Sequence, residues 1–95
     1  MIASFGDGAT EDLYNAVKSA RARHFPNDVI KVALRKLDML EAAHNLNDLR
    51  VPPANRLEAL AGKLKGYHSI RVNDQWRIVF KWSNGAHEVS LTDYH

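Results

Sequence analysis

From residue 67 onward the chain alternates. Tyr67 to Val72 reads as one run, Trp76, Ile78, Phe80 and Trp82 interleave with Arg77, Val79 and Lys81, and Val89 and Leu91 carry the period on. Apolar residues at every second position mark half-buried strands. Two turn signals divide the runs, Asn73-Asp74 and Asn84-Gly85, and Asn-Gly is among the strongest short hairpin signals. A two-residue turn there pairs Trp82 with His87, Phe80 with Val89 and Ile78 with Leu91. The opposite face then pairs Lys81 with Glu88 and Arg77 with Thr92, so apolar meets apolar and cation meets anion. For the earlier hairpin, a three-residue turn over Asn73-Asp74-Gln75 sets Ile70 against Ile78 and Val72 against Trp76, which keeps one face apolar.

The first half has a different period. Residues 2–5 read as a short strand and Gly6-Asp7-Gly8 as a turn. Thr10 is placed to cap a helix in which Glu11 and Asp12 meet the positive end of the dipole. Leu13, Val17 and Ala20 share a face, Lys18, Arg21 and Arg23 close the C-terminal end, and Pro26 breaks the helix. A second helix, capped by Asn27 or Asp28, carries Val29, Ala33, Leu37 and Leu40 as its apolar stripe, widened by Ile30 and Leu34. Lys31, Arg35, Lys36, Asp38 and Glu41 are assigned to its wet side. Pro52-Pro53 forces extended or turn backbone. The expected architecture is α+β: two N-terminal helices packed on one face of a C-terminal antiparallel sheet. Ile70, Val72, Trp76, Ile78, Phe80, Val89 and Leu91 face the helices. Arg71, Arg77, Lys81, Thr92 and, by parity, Tyr94 occupy a basic second face that nothing covers.

Composition narrows the class. Ninety-five residues make one domain, taken as 1–95. No apolar run reaches membrane-spanning length, and the N-terminus does not read as a signal peptide. The chain has no cysteine, which excludes disulfides, thiolate nucleophiles and cysteine-based zinc sites and fits a cytoplasmic protein. The net charge is only +2, but residues 1–48 hold six basic and seven acidic side chains, whereas residues 49–95 hold seven basic and four acidic. A polyanion would meet the second half first. The histidines lack metal-ligand spacing, so neither a metal site nor a cofactor is expected. The glycines form no phosphate loop.

The candidate chemistry gathers at the C-terminal end. Asp93, Tyr94 and His95 supply a carboxylate, a phenol and an imidazole. Arg71 and Arg77 suit forked binding of a phosphate. RNA cleavage without a metal needs a base for the 2′-hydroxyl, a cation for the phosphorane and an acid for the departing 5′-oxygen. Each residue also has a plain structural role open to it: a strand-end cap for Asp93, edge packing for Tyr94, a solvated tail for His95, and edge protection for the arginines. Arg56, Lys63, Lys65 and Lys81 extend the basic surface as candidate RNA contacts. Trp76 and Trp82 are assigned to the core rather than to base stacking.

These residues carry a resemblance. The stretch from Pro53 through Gly62, the hairpin His68-Ser69-Ile70-Arg71-Val72-Asn73-Asp74-Gln75-Trp76-Arg77-Ile78, the ending Asp93-Tyr94-His95 and the opening Ile2-x-Ser4-Phe5 resemble the HigB branch of the RelE toxin superfamily, most of all its GraT-like subgroup. The resemblance implies a RelE-like fold and a type II toxin that cuts mRNA on the ribosome, inhibiting translation and growth. It also implies a HigA-type helix-turn-helix antitoxin as partner, with operator DNA engaged only through that antitoxin. It sets Arg77, Asp93, Tyr94 and His95 on active-site positions. Several members carry a histidine and a lysine in an L-H-x-L-K-G motif, where this chain has Glu58 and Ala61. Glu58 is therefore a further candidate for the base. Two other functions fit the same fold: a ParE-like poison of DNA gyrase, and a ribosome- or RNA-binding module without catalysis.

Overall fold

A computed structural model describes residues 1–93. The expected layers are present. Helical segments cover one face of an antiparallel sheet whose strands run in chain order: β1 (Glu58–Ala59), β2 (His68–Arg71), β3 (Trp76–Trp82) and β4 (Ala86–Asp93). The helices are α1 (Gly8–Tyr14), α2 (Ala20–Arg23) and α3 (Asn27–Ala42). Short 3-10 turns occupy Leu46–Arg50, Pro53–Asn55 and Gly62–Leu64.

The core forms where the two periodicities meet. Val29, Ala33, Leu37 and Leu40 of α3 pack with Ile70, Ile78, Phe80, Val89 and Leu91 of the sheet, all buried. Full burial of each large side chain is worth roughly 1.5–3 kcal/mol. Trp76 and Trp82 are half-buried against this cluster, and Phe25 meets the Trp76 ring edge-on at 5.7 Å.

The first expected helix is broken in two. Asp7, not Thr10, caps α1, accepting from the Thr10 amide at 2.7 Å. Ala16 then takes a left-handed φ of 59°, which ends the helix, and Ser19 caps α2. Asp12 decides this geometry. Its carboxylate accepts from the Ser19 hydroxyl at 2.8 Å and from Arg21 Nε at 2.6 Å, contacts that fold α2 back on α1. Val17, expected inside, is 51% exposed as a result. Thr10 is buried and does other work: its Oγ1 accepts from the Leu91 amide at 2.9 Å. α3 starts after Pro26 with no side-chain cap, so neither Asn27 nor Asp28 has the expected capping role. Lys36, assigned to water, is only 9% exposed.

The β2–β3 register is as expected, with Ile70 opposite Ile78 and Arg71 opposite Arg77. The β3–β4 register agrees only at its far end, where Ile78 faces Leu91 and Arg77 faces Thr92. Near the turn Trp82 pairs with Ala86, not His87, and Lys81 with His87. The connection is thus three residues long, and a bulge takes up the difference. Glu88 supplies it with a φ of 53°, a conformation costly for a residue with a Cβ. The cause is the N-terminal segment. It lies parallel to the outer edge of β4, where Ala86 N donates to Met1 O at 2.7 Å and Val89 N to Ser4 O at 3.1 Å. Gly6 passes so close to the bulge that a Cβ there would sit 2.7 Å from the Glu88 carbonyl oxygen.

The second sheet face is not bare. Val79 and Ser69 point to that side and are buried. Leu64 and Tyr67, from the segment between β1 and β2, stand with Val79, Glu88, Ser90 and Thr92 around a hollow of about 240 Å³. The expected open surface is a shallow, partly walled groove.

Candidate active site

Arg71 and Arg77 are direct cross-strand partners, so their Cβ atoms stand about 4.5–5.5 Å apart on one face. Two like charges in that relation repel. Each is countered by a carboxylate. Arg77 Nη1 lies 2.7 Å from Glu58 Oε1 and also donates to Ser69 Oγ at 3.3 Å, while Arg71 pairs with Asp74 at the β2–β3 turn. Glu58 reaches Arg77 because β1 pairs with β2 and puts Glu58 opposite Ser69. Ser69 in turn faces Val79, two residues along from Arg77. The Arg77 side chain is 18% exposed and that of Glu58 52%. A guanidinium and a carboxylate therefore share one half-sheltered place where an anion can reach both.

A second polar group closes the groove towards the bulge. The Tyr67 hydroxyl donates to Glu88 Oε1 at 3.0 Å, and Lys81 Nζ sits 3.2 Å from Glu88 Oε2 and 4.8 Å from the Tyr67 ring centre. The Tyr67 hydrogen bond, then that of Lys81, hold the Glu88 carboxyl below its usual range. The same contact with Glu88 raises Lys81. Both groups are charged at neutral pH and neither is poised for proton transfer, so this end of the groove is electrostatic in character.

The model for RelE-like toxins of the type II toxin–antitoxin system HigB matches residues 3–95. The chain belongs to this family. It is 42% identical over 95 residues to Toxin HigB-1 of Vibrio cholerae, covering 100% of this chain and 98% of that toxin. It is also 52% identical over 70 residues to an uncharacterised protein of Haemophilus influenzae, covering 74% of this chain and 69% of the relative. Among solved structures, the fold resembles the YoeB–YefM complex from Staphylococcus aureus, with a TM-score of 0.60 at 23% identity over 100% of this chain and 95% of that one. It resembles a YafQ variant from E. coli with a TM-score of 0.62 at 22% identity, over 98% and 91%.

Within this HigB-type chain the expected site residues fall into distinct places. Arg77, Arg71 and Glu58 come together as described. Lys81 shares their face but is engaged by Glu88. Arg56, Lys63 and Lys65 are exposed on the segments flanking β1, with Arg56 in the left-handed conformation that ends the Pro53–Asn55 turn. Asp93 is opposite Trp76 in the register, so its side chain leaves the sheet on the side of Trp76 rather than that of Arg77. Its Oδ2 accepts from Gln75 Nε2 at 2.9 Å. Tyr94 and His95 lie outside the described residues. No helix of the described residues is long and apolar enough to cross a membrane. No group of three His, Asp or Glu among them is arranged to hold a metal ion.

Ser69 was missed by the sequence reading. A buried serine in a strand gives no signal until the register shows it under Arg77. The Tyr67–Glu88 contact was missed because 21 residues separate the two; the expected register set Glu88 beside Lys81 but said nothing of Tyr67.

Proposed function

We propose that this HigB-type toxin is a ribosome-dependent endoribonuclease that cleaves mRNA without a metal ion and so arrests translation in the cytoplasm. The observation that carries the proposal is the cross-strand arginine pair, Arg71 and Arg77, with a carboxylate 2.7 Å from Arg77 Nη1. Arg77 binds the scissile phosphate and stabilises the charge that grows on the phosphorane. Arg71 takes a non-bridging oxygen or the next phosphate. Glu58, held beside the same guanidinium, removes the 2′-hydroxyl proton. The 2′-oxygen attacks phosphorus, the bond to the 5′-oxygen breaks, and His95 gives that oxygen its proton. The product is a 2′,3′-cyclic phosphate and a free 5′-hydroxyl. Glu58 is preferred to Asp93 as the base because Asp93 shares the strand face of Trp76. Tyr94 stacks on a base or orients the phosphate, and Asp93 with Gln75 fixes the end of β4. Arg56, Lys63, Lys65 and Lys81 add phosphate contacts. With a net charge of only +2, the free protein attracts RNA weakly, and the ribosome supplies much of the substrate affinity.

The partner proposed is a HigA-type helix-turn-helix antitoxin, through which alone the toxin engages operator DNA. The YoeB–YefM complex among the similar structures supports an antitoxin as the class of partner.

The test is primer extension on mRNA bound to purified ribosomes. New 5′ ends are expected with the natural protein and not with Arg77→Ala or His95→Gln, both still folded by circular dichroism. Equal cutting by both variants overturns the assignment, and efficient cutting of naked RNA overturns ribosome dependence. An absence of cleavage together with inhibited supercoiling by gyrase would favour the poison reading instead.

A further inference from the structure

A second cavity of about 420 Å³ opens beside the arginine pair, within the usual range for small-ligand sites. One face of α3 contributes Val32, Arg35, Lys36 and Met39, whose spacing sets them on adjacent turns. Pro52 and Ala54 form a second wall, and Arg71 with Val72 and Asn73 a third. The lining holds three cations and no carboxylate; Asp74, the partner of Arg71, is not part of it. Lys36 is the unusual member. It is 91% buried in a site with no acid, and its ammonium donates to the Asn55 carboxamide oxygen. Asn55 is itself fully buried and fixed by donating to the Leu49 carbonyl at 3.1 Å. No ion-pair partner of Arg35 or Lys36 occurs among the described residues. Burying a cation without an anion is costly, and Arg35 beside it adds repulsion. Such an arrangement leaves positive potential in a concave site whose remaining lining, apart from Asn73, is apolar.

We infer that this cavity binds one nucleotide of single-stranded RNA, its phosphate among Arg35, Lys36 and Arg71 and its base against Val32, Met39 and Pro52. RNA rather than an acidic peptide is assigned because Arg71 belongs to both places. It lines the cavity and is the cross-strand partner of Arg77, so one strand can leave the cleavage site and enter this pocket. The inference rests on the nuclease reading for which strand is bound, but its test does not depend on cleavage.

The probe is a fluorescent, 2′-O-methylated six-nucleotide RNA, titrated by anisotropy over a range of salt concentrations. Arg35→Gln, an exposed change that leaves the core alone, and Lys36→Met should each weaken binding and lower the slope of log affinity against log salt by about one. Arg35→Gln keeps the test valid if Lys36→Met unfolds. Wild-type affinity and slope in Arg35→Gln overturn the inference, whatever the cleavage assay gives. So does a variant-sensitive binding of hexaglutamate, or of free adenosine 5′-monophosphate, with RNA binding unchanged. Loss of ribosomal cleavage in the natural protein with the salt signature intact would refute the nuclease reading alone.

Discussion

Replacing Glu58 by glutamine separates two roles that the geometry joins. As a counter-ion, Glu58 neutralises Arg77 across 2.7 Å. As the proposed base, it would take the proton of the 2′-hydroxyl. The two roles differ greatly in size. Half of the Glu58 side chain is in water, so the ion pair is screened and contributes less than about 1 kcal/mol to stability. For a chain of this length that shifts the melting temperature by less than about 8 °C. Loss of the counter-ion alone removes one carboxylate that competes with phosphate for Arg77, and cleavage would rise by up to about fivefold. Loss of a general base instead lowers the rate by about 10²–10⁴, or roughly 3–5 kcal/mol of barrier. The expected outcome for Glu58→Gln is therefore a near-normal melting curve with single-turnover cleavage on programmed ribosomes reduced at least about 100-fold. A variant that cuts as fast as the parent, or faster, would refute the reasoning and leave Glu58 as a counter-ion.

Two further outcomes test the scaffold. Asn55→Ala strands the Lys36 ammonium and the Leu49 carbonyl inside the fold, which should cost about 3 kcal/mol and lower the melting temperature by about 12–24 °C; a fall of less than about 4 °C in calorimetry would show that water replaces the amide. The Asp12 carboxyl is held below its ordinary range by the Arg21 hydrogen bond first and that of Ser19 second. A carboxyl with a depressed folded pKa stabilises above its unfolded pKa and loses that contribution as pH falls through the folded value. Urea midpoints of Asp12→Asn should thus lie below the parent's at neutral pH and converge with them in strong acid; a gap of constant size across that range would remove the ion pair from the account.

What was legible in the sequence follows from how far apart the deciding residues stand. The two hairpins could be read because their signals are local: alternation at Ile70, Ile78, Phe80 and Leu91, and polar turn residues between. The α3 stripe was legible for the same reason. The break between α1 and α2 was not, since Asn15-Ala16-Val17 contains neither glycine nor proline. What ends the helix is Asp12 reaching Ser19 and Arg21, and Ser19 before Ala-Arg-Ala-Arg was the one available cap signal. The bulge was hidden by a strong but misleading cue. Asn84-Gly85 favours a two-residue turn, yet the N-terminal segment, more than 80 residues away, pairs with β4 and selects a three-residue connection. Lys36 read as a surface lysine because its partner, Asn55, sits 19 residues on in a proline-rich loop. Arg77 and Glu58 could be proposed separately, but their contact depends on β1, a strand two residues long.

That contact also bears on the family's variation at the site. Where the family resemblance leads one to expect an imidazole and an ammonium, this chain has Glu58 and Ala61. An imidazole beside Arg77 would add to the positive charge when protonated; a carboxylate subtracts from it. With Ala61 contributing no cation, phosphate binding as proposed would depend more heavily on Arg71 and Arg77, and those two residues are direct cross-strand partners. Cross-strand like charges destabilise a sheet, and here the repulsion is offset by Glu58, half in water, and Asp74, almost wholly in water. An acid in water exchanges for a phosphate at little cost, because its own charge is rehydrated as it leaves. A buried acid would not be displaced so readily. The exposure of Glu58 is thus compatible with both parts of its proposed work: it offsets the charge of Arg77, and a phosphate can take its place there while the carboxylate stays close enough to the same guanidinium to act as the proposed base.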